Sequence, residues 1–214
     1  MLIPSSEIAI QVAFLLLTLA IFLIIYNLPK KAFSKLRSNT RANSQSSRHF
    51  LNGAQLLSRA RSTNNRATAE SLAKDAVTQA DMALSLLPRD GAALILRALA
   101  LDVLGRRSSA LRSLDAALAP PAARTLSGRE RGDALVKRAE LQLSVNRRRR
   151  VDSALLDLVE AVSLTRDNFK GFCLLGQCYE IKGMKDEACE AFTEALKIEP
   201  GSTLAREGLD RLKS

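Results

Sequence analysis

Three cysteines and one histidine are the side chains best suited to metal or redox chemistry in this 214-residue sequence. Cys173, Cys178 and Cys189 form no Cys-x-x-Cys pair, and His49 stands far from them along the chain. A structural zinc site needs four ligands at close spacing, and residues five apart on a helix do not face one direction. We therefore predict no metal and no other cofactor, and we interpret the cysteines as small packing residues.

Catalytic motifs are absent from the sequence. There is no Gly-rich phosphate loop, no Gly-x-Ser-x-Gly motif, and no pair of carboxylates outside the surfaces of amphipathic helices. The single histidine borders a polar segment, where we expect it to be exposed. The sequence therefore predicts a protein that is not an enzyme.

Basic residues are concentrated in one stretch of the chain. The net charge is +10, and residues 28–69 hold nine arginines and lysines without a single acid, whereas residues 70–214 are close to neutral. Aromatic residues make up only 4% of the chain, so we expect no stacking platform for single-stranded nucleic acid. A second run, Arg147–Arg150, falls at a predicted turn, where we interpret it as a solvated charge run. An acidic partner or a membrane surface is the alternative for that run.

Residues 8–26, IAIQVAFLLLTLAIFLIIY, form an almost unbroken apolar segment. As a helix this segment would extend about 28 Å, close to the thickness of the hydrocarbon core of a bilayer. A cleaved signal peptide would need a basic N-terminal region and a cleavage site, and a buried core helix would need a polar face. The basic region, the cleavage site and the polar face are all missing from the sequence. We therefore predict a single transmembrane helix within an anchor of residues 1–29.

The residues that flank this segment predict its orientation. All nearby bases follow the apolar segment, which by the positive-inside rule leaves the C-terminal part in the cytosol. They can also attract anionic headgroups, although setting the topology is the simplest role. Residues 30–47 form a basic, polar linker, and we expect its part 38–47 to be a flexible spacer. The predicted membrane-flanking residues are Tyr26, Lys30, Lys31, Lys35 and Arg37.

A helical triad recurs four times in the rest of the chain. Its members are spaced i, i+4, i+7, so they lie on one face of a helix, and small alanines let a neighbouring helix approach closely. Successive copies are offset by 34, 44 and 34 residues, the longer offset containing an insertion around Pro120 and Pro121. The copies are Ala76/Ala80/Ala83, Ala110/Leu114/Ala117, Ala154/Leu158/Ala161 and Ala188/Phe192/Ala195.

The last copy carries the most complete pattern. An aromatic residue, Leu-Gly, a tyrosine, a helix-ending glycine, Ala-x₃-Phe and a final proline follow one another at fixed spacing. This pattern resembles the tetratricopeptide repeat, with a phenylalanine where that family usually has tryptophan. The residues concerned are Phe172, Leu175, Gly176, Tyr179, Gly183, Ala188, Phe192, Ala195 and Pro200.

The resemblance implies an all-α fold. We expect an N-terminal transmembrane helix followed by a solenoid of about four helix pairs and a C-terminal capping helix, with residues 48–214 forming the repeat domain. Stacked pairs bury a shared core, and their first helices line a concave groove. The expected units are 49–88, 91–121, 131–166 and 169–200, with the cap at 202–213.

Groove residues follow from the alignment of the first helices. One subset of the family grips the acidic C-terminal tails of chaperones with groove lysine, asparagine and arginine side chains. In this sequence only Lys170 fits that role, because Glu140 would repel a carboxylate and Leu174 stands where arginine is needed. We expect instead a groove for a mixed apolar and charged ligand. Its candidate residues are Ile95, Leu99, Lys137, Glu140, Lys170 and Gln177.

These features together predict a membrane-anchored adaptor that recruits a protein or peptide at an organelle surface, in protein targeting or complex assembly. The layout is similar to that of outer-membrane import receptors, and the endoplasmic reticulum or the outer membrane of a mitochondrion or plastid are the expected locations. A structural protein that contacts anionic lipid or nucleic acid through its basic patches is the alternative. The oligomeric state is left open.

Overall fold

The computed structural model describes residues 17–18 and 30–213, with side chains from residue 42 onward in the second range. Most of the predicted transmembrane segment 8–26, including Tyr26, therefore lies outside the described residues, as do the side chains of the flanking bases Lys30, Lys31, Lys35 and Arg37. Within the described residues, none of the helices combines the length and the apolar character needed to cross a bilayer.

The chain divides into two compact units, Met1–Ser44 and Gln45–Ser214. The regular structure in the described part of the chain consists of α-helices, as the sequence predicts for the repeat domain, with a short 3₁₀ helix at Ala122–Thr125. The α-helices are α1 Lys30–Ser62, α2 Arg66–Leu86, α3 Gly91–Val103, α4 Arg107–Leu118, α5 Gly128–Leu164, α6 Phe169–Lys182, α7 Lys185–Ile198 and α8 Thr203–Lys213.

The prediction of a flexible spacer at residues 38–47 was wrong, because these residues are part of α1. No glycine or proline interrupts the chain between Lys30 and Gly53, so the helix can continue through the polar residues. Ser46 is buried, and its hydroxyl donates to the carbonyl of Ala83 at 3.2 Å. His49, expected to be exposed, is partly buried and shares a 2.8 Å hydrogen bond with Gln79.

The predicted triads lie at the centre of the fold. Each of their twelve residues is fully buried, on α2, α4, the second half of α5 and α7. Alanine dominates these positions, so the backbones of neighbouring helices can approach closely. This burial, repeated in four helix pairs, confirms the predicted helical-repeat solenoid.

The turns within the pairs differ from repeat to repeat. Gly105 and Gly183 adopt left-handed backbone conformations, with φ of 70° and 74°, and end α3 and α6. In the third pair a single residue makes the turn: Asn146 has φ −156° and ψ 95°, and its side chain caps the following segment by accepting from the amide of Arg149 at 3.1 Å. The sequence predicts that the run Arg147–Arg150 falls at the turn. In the structure this run is instead the first turn of the helical segment that follows Asn146.

Candidate functional site: the concave groove

The first helices of the four pairs line one groove with a volume of about 920 Å³. Short connections make consecutive helices antiparallel, so α1, α3, the first half of α5 and α6 run in the same direction. Contacts between the first half of α5 and α6 agree with this parallel direction. Asn168 donates to Asp133 near the start of α6 and α5, at 3.0 Å, and Arg147 lies beside Gln177 and Glu180 near their ends.

One end of the groove is apolar. On α1 the lining residues recur at helical spacing, so that a single stripe of the helix faces the groove. Neighbouring residues of α3 continue this surface, and its inner part is buried in a cluster with α2. The apolar lining consists of Phe50, Ala54, Leu57, Ile95, Leu96, Leu99 and Val103, followed by Ala134 and Val136 on α5.

The other end of the groove carries a row of alternating charges. The Lys137 ammonium lies 2.6 Å from Asp102 Oδ2 and 3.3 Å from Glu140 Oε2. The same oxygen of Glu140 accepts from Lys170 Nζ at 2.7 Å. This row therefore crosses two repeat boundaries, from α3 to α5 and from α5 to α6, and each cation has an acidic partner.

The charges in this row affect the protonation of Glu140. Burial raises the pKa of this carboxyl, but the hydrogen bond from Lys170 and the charge of Lys137 outweigh it. The net pKa lies below the ordinary value of 4.5. Glu140 is therefore ionised at neutral pH and holds both lysines at the groove surface.

Behind the groove, a second ionic cluster joins the third repeat to the second. Arg138 binds Asp157 through two hydrogen bonds, at 2.8 and 2.6 Å, and reaches Asp115 at 3.2 Å. The hydrogen bond to Asp157 raises the pKa of Arg138 in spite of burial. Asp157 is only 6% exposed and also accepts from Gln142 at 3.4 Å. This cluster is not predicted from the sequence, although the position of Asp157 beside the buried Leu158 is a usable signal.

The structure brings together five of the six predicted groove residues. Ile95 and Leu99 lie on the apolar side, and Lys137, Glu140 and Lys170 form the charged row. The wall contributed by α1 was not predicted, because the first repeat lacks the family pattern, although the spacing of its apolar residues could have revealed it.

Gln177 lies elsewhere. It lines a separate concavity of about 470 Å³ with Arg147 and residues near the ends of α6 and α8. There the Arg211 side chain on α8 makes two hydrogen bonds to Glu180, at 2.8 and 3.0 Å. The later turns of α6 thus face the last helix of the chain and not the main groove.

The predicted signature residues of the last repeat have packing positions. Leu175, Gly176, Ala188, Phe192 and Ala195 are buried. Phe172 and Tyr179 pack against the same clusters. Gly183 ends α6, and Pro200 follows the end of α7.

The cysteines of this repeat have two environments. Cys173 and Cys178 are buried, and Cys189 is exposed. Burial, with a smaller effect from Glu199, raises the pKa of Cys173 to about 11. Burial also raises the pKa of Cys178 to about 11, although the charge of Arg147 opposes it. In the described part of the chain, no cluster of three or more His, Cys, Asp or Glu residues could hold a metal ion.

The last helix pair has its turn at Gly183 and the packed ring of Phe192. A comparison of the sequence with known families finds a match in the same part of the chain. Residues 169–202 match the tetratricopeptide repeat. The match begins with α6 and extends past α7, so this tetratricopeptide repeat coincides with the fourth helix pair. No curated protein is similar enough in sequence to match the chain.

Solved structures extend the likeness to the other repeats at the level of fold. The MamA protein is 15% identical, with a TM-score of 0.62, over 79% of this chain and 81% of that one. YrrB, described as a tetratricopeptide repeat protein with an unusual peptide-binding site, is 22% identical, with a TM-score of 0.55, over 65% and 67%. The first tetratricopeptide repeat domain of Spaghetti (RPAP3), bound to the HSP90 peptide SRMEEVD, is 17% identical, with a TM-score of 0.50, over 58% of this chain and 91% of that one. The tetratricopeptide architecture is thus shared by proteins of different sequence.

Proposed function

We propose that this protein is a membrane-anchored adaptor whose groove binds a protein or peptide segment. The observation that carries the proposal is the groove itself, with an apolar end on α1 and α3 and a charged end on α5 and α6. Two of the proteins that share the fold, YrrB and Spaghetti, are described as peptide-binding or peptide-bound. A ligand with apolar side chains at one end and polar or charged groups at the other fits this groove.

The charged row argues against an acidic C-terminal tail as the ligand. Such a tail needs cations that are free to bind its carboxylates. Lys137 and Lys170 already bind Asp102 and Glu140. Among the described residues that line the groove, Arg61 on α1 is a cation without an ion pair, but it lies at the apolar end, away from the charged row. A carboxylate brought next to Glu140 would also be repelled by it, so we expect the apolar residues to supply most of the ligand contact.

The membrane part of the proposal rests on the sequence. The apolar segment 8–26 and the bases that follow it favour a single-pass protein with a cytosolic repeat domain, at the endoplasmic reticulum or at an outer membrane of a mitochondrion or plastid. Carbonate extraction of membranes, together with protease access to a C-terminal tag, tests this part. A tag that is protected in sealed organelles would overturn the cytosolic topology.

Site-specific photo-crosslinking in cells tests the groove. A photo-reactive residue at Ile95 should give a discrete adduct, and Leu99→Arg in the same chain should remove it, because both side chains lie at the apolar end. Leu156, 73% exposed on the second half of α5 and outside the groove lining, is the matched control position. Equal adducts from the two positions, or an adduct at Ile95 that survives Leu99→Arg, would contradict groove binding.

A further inference from the structure

Three charged residues line the groove without belonging to the row of alternating charges. They are Arg61 in the last turn of α1, and Glu130 and Asp133 in the first two turns of α5. All three side chains are exposed. Among the residues whose side chains the structure describes, none lies within ion-pairing distance of these three with the opposite charge. The row itself holds two bases and two acids, so these three residues decide which net charges the groove offers to a ligand.

The two acids are hydrogen-bonded but not neutralised. Glu130 accepts from the amide and the hydroxyl of Ser127, at 2.8 and 2.7 Å, and both bonds end on its Oε2 atom. These bonds lower the pKa of Glu130, so its carboxyl is ionised at neutral pH. Asp133 accepts from the side-chain amide of Asn168 at 3.0 Å, through Oδ1. Since the donors carry no charge, both negative charges remain available to a ligand.

The base and the two acids lie at diagonally opposite corners of the groove. The first helices run in the same direction, so the C-terminal end of α1 and the N-terminal end of α5 lie at opposite ends of the groove. Between them α3 packs against both neighbours, and its groove residues Ile95, Leu99 and Val103 are only half-buried. Two helix spacings of about 10 Å each separate α1 from α5. An apolar surface roughly 20 Å wide therefore has an uncompensated base at one corner and two uncompensated acids at the other.

A helical ligand suits this surface better than an extended one. An extended segment needs partners for its backbone N–H and C=O groups when they are buried. The floor of the groove is apolar, and the only side-chain amide among the described lining residues is that of Asn168. That amide already binds Asp133 and caps α6 by accepting from the amide of Gly171. A helix satisfies its own backbone, so it can lay an apolar stripe along the groove.

The dipole of a ligand helix favours one orientation in the groove. Acids stabilise the first turn of a helix, and bases stabilise its last turn. A helix with this charge order matches the groove when its N-terminal end lies at Arg61 and its C-terminal end lies at Glu130 and Asp133. About 13 residues, at roughly 1.5 Å per residue, cover the distance between the two corners.

We propose that the groove binds an amphipathic helix of a partner protein, with an acid in its first turn, an apolar stripe and bases in its last turn. The acid would bind Arg61, the stripe would cover the half-buried residues of α3, and the bases would bind Glu130 and Asp133. This inference rests on the proposed function, in which the groove binds a protein or peptide segment. It adds the conformation, the charge order and the direction of that segment.

Three synthetic peptides test the proposal. The forward peptide has a glutamate in its first turn, a leucine stripe and two lysines in its last turn. The reversed peptide has the same composition with the charges exchanged between the ends, and a hydrocarbon bridge on the polar face holds both peptides helical. The third is the forward sequence without the bridge and with two central prolines, which prevent a helix.

The measurement is the fluorescence anisotropy of the labelled peptides with the full-length chain in phosphatidylcholine nanodiscs, after subtraction of empty nanodiscs. We expect the forward peptide to bind roughly tenfold more tightly than the reversed one, from two or three exposed ion pairs. The proline peptide should not bind, and Leu99→Arg should abolish binding of the forward peptide, because Leu99 lies in the middle of the apolar surface.

A double variant tests the acidic corner. Glu130→Gln with Asp133→Asn removes both charges and keeps oxygen acceptors for Ser127 and Asn168. We expect it to weaken the forward peptide roughly fivefold, and the difference to disappear at high salt. Its matched control removes two acids of α7 that lie outside the groove lining and form no ion pair in the described part of the chain, by Asp186→Asn with Glu190→Gln. Equal effects of the two double variants would overturn the assignment of the acidic corner.

The outcomes separate this proposal from the proposed function. Equal affinities of the two bridged peptides, both abolished by Leu99→Arg, would overturn the charge order and leave groove binding intact. A proline peptide that binds as tightly as the forward peptide would overturn the helical conformation in the same way. If no peptide binds although the photo-adduct at Ile95 forms in cells, the helical ligand is wrong and groove binding stands. If the adduct is also missing, the proposed function fails as well.

Self-association is the remaining alternative for the groove. Analytical ultracentrifugation of the full-length chain in nanodiscs should show one species whose mass is unchanged by Leu99→Arg. Self-association that Leu99→Arg abolishes would identify a second copy of the chain as the occupant and overturn the proposal.

Discussion

The ring of Phe192 lies directly against Gly176. A Cβ atom at position 176 would come within 2.8 Å of Cε1 and Cζ of the ring. The same ring also lies against Gly208 of α8, where a Cβ would come within 2.7 Å of Cε2 and Cζ. One phenylalanine of α7 therefore fills the space left by two glycines and packs against both α6 and α8.

Gly176→Ala should destabilise the repeat unit by about 1–3 kcal/mol, because the added methyl group overpacks a rigid ring in a buried cluster. Urea denaturation of the full-length chain in detergent, followed by circular dichroism, measures this. Gly128→Ala is the matched control, since a Cβ at that helical position meets nothing within 4 Å. Equal effects of the two substitutions would show that the ring does not constrain position 176.

Asp157→Ala should cost about 3–5 kcal/mol of unfolding free energy, because it leaves the charge of Arg138 without its main partner in a half-buried position. The same denaturation experiment compares it with Asp152→Ala, which removes the exposed ion pair to Lys182 and should cost less than about 1 kcal/mol. An Asp157→Ala protein as stable as Asp152→Ala would contradict the structural role of the cluster.

The stability contributed by Glu140 should depend on pH. Its folded-state pKa lies below the ordinary value of 4.5, so the contribution is fully present above that unfolded-state value and is lost as the pH falls through the folded value. Unfolding free energies of the parent and of Glu140→Gln, measured between neutral and acidic pH, should differ at neutral pH and converge in acid. A difference that stays constant over this range would show that the charge of Glu140 is not responsible.

The three cysteines should react with a maleimide at very different rates. Cys189 is exposed, whereas Cys173 and Cys178 are buried with pKa values of about 11, so they present almost no accessible thiolate near neutral pH. Mass spectrometry should find one adduct per native chain and three in denaturant. Cys189→Ser should leave the native chain unmodified, and rapid labelling of that variant would show that the fourth repeat opens.

The helical repeats could be predicted from the sequence because their signal is periodic. Ala154, Leu158 and Ala161 mark a buried helix face although the second half of α5 lacks the family pattern. The helical state of residues 38–47 gives no such signal. These polar residues carry no apolar stripe, and their structure depends on the absence of a helix breaker and on the fit of Ser46 against Ala83.

The groove was predictable only where the helix register was known. Ile95 and Lys137 follow from the alignment of α3 and α5 with the last repeat. Gln177 also follows from that alignment, but its surroundings depend on α8 and on the ion pair between Arg211 and Glu180. The pairing of Lys137 with Asp102 depends on the distance between two stacked repeats. The spacing of residues within one repeat does not predict that distance.

In the row of charges, Asp102 and Glu140 compete with any carboxylate of a ligand for the groove lysines. Asp102 and Glu140 are tethered to the same framework as the lysines they bind, so they act at effective concentrations on the order of millimolar or above. A free carboxylate, from a metabolite or an acidic tail, must displace a group that cannot diffuse away. The groove would thus remain unoccupied amid an excess of small anions, and a ligand would be selected for what it places on the apolar end.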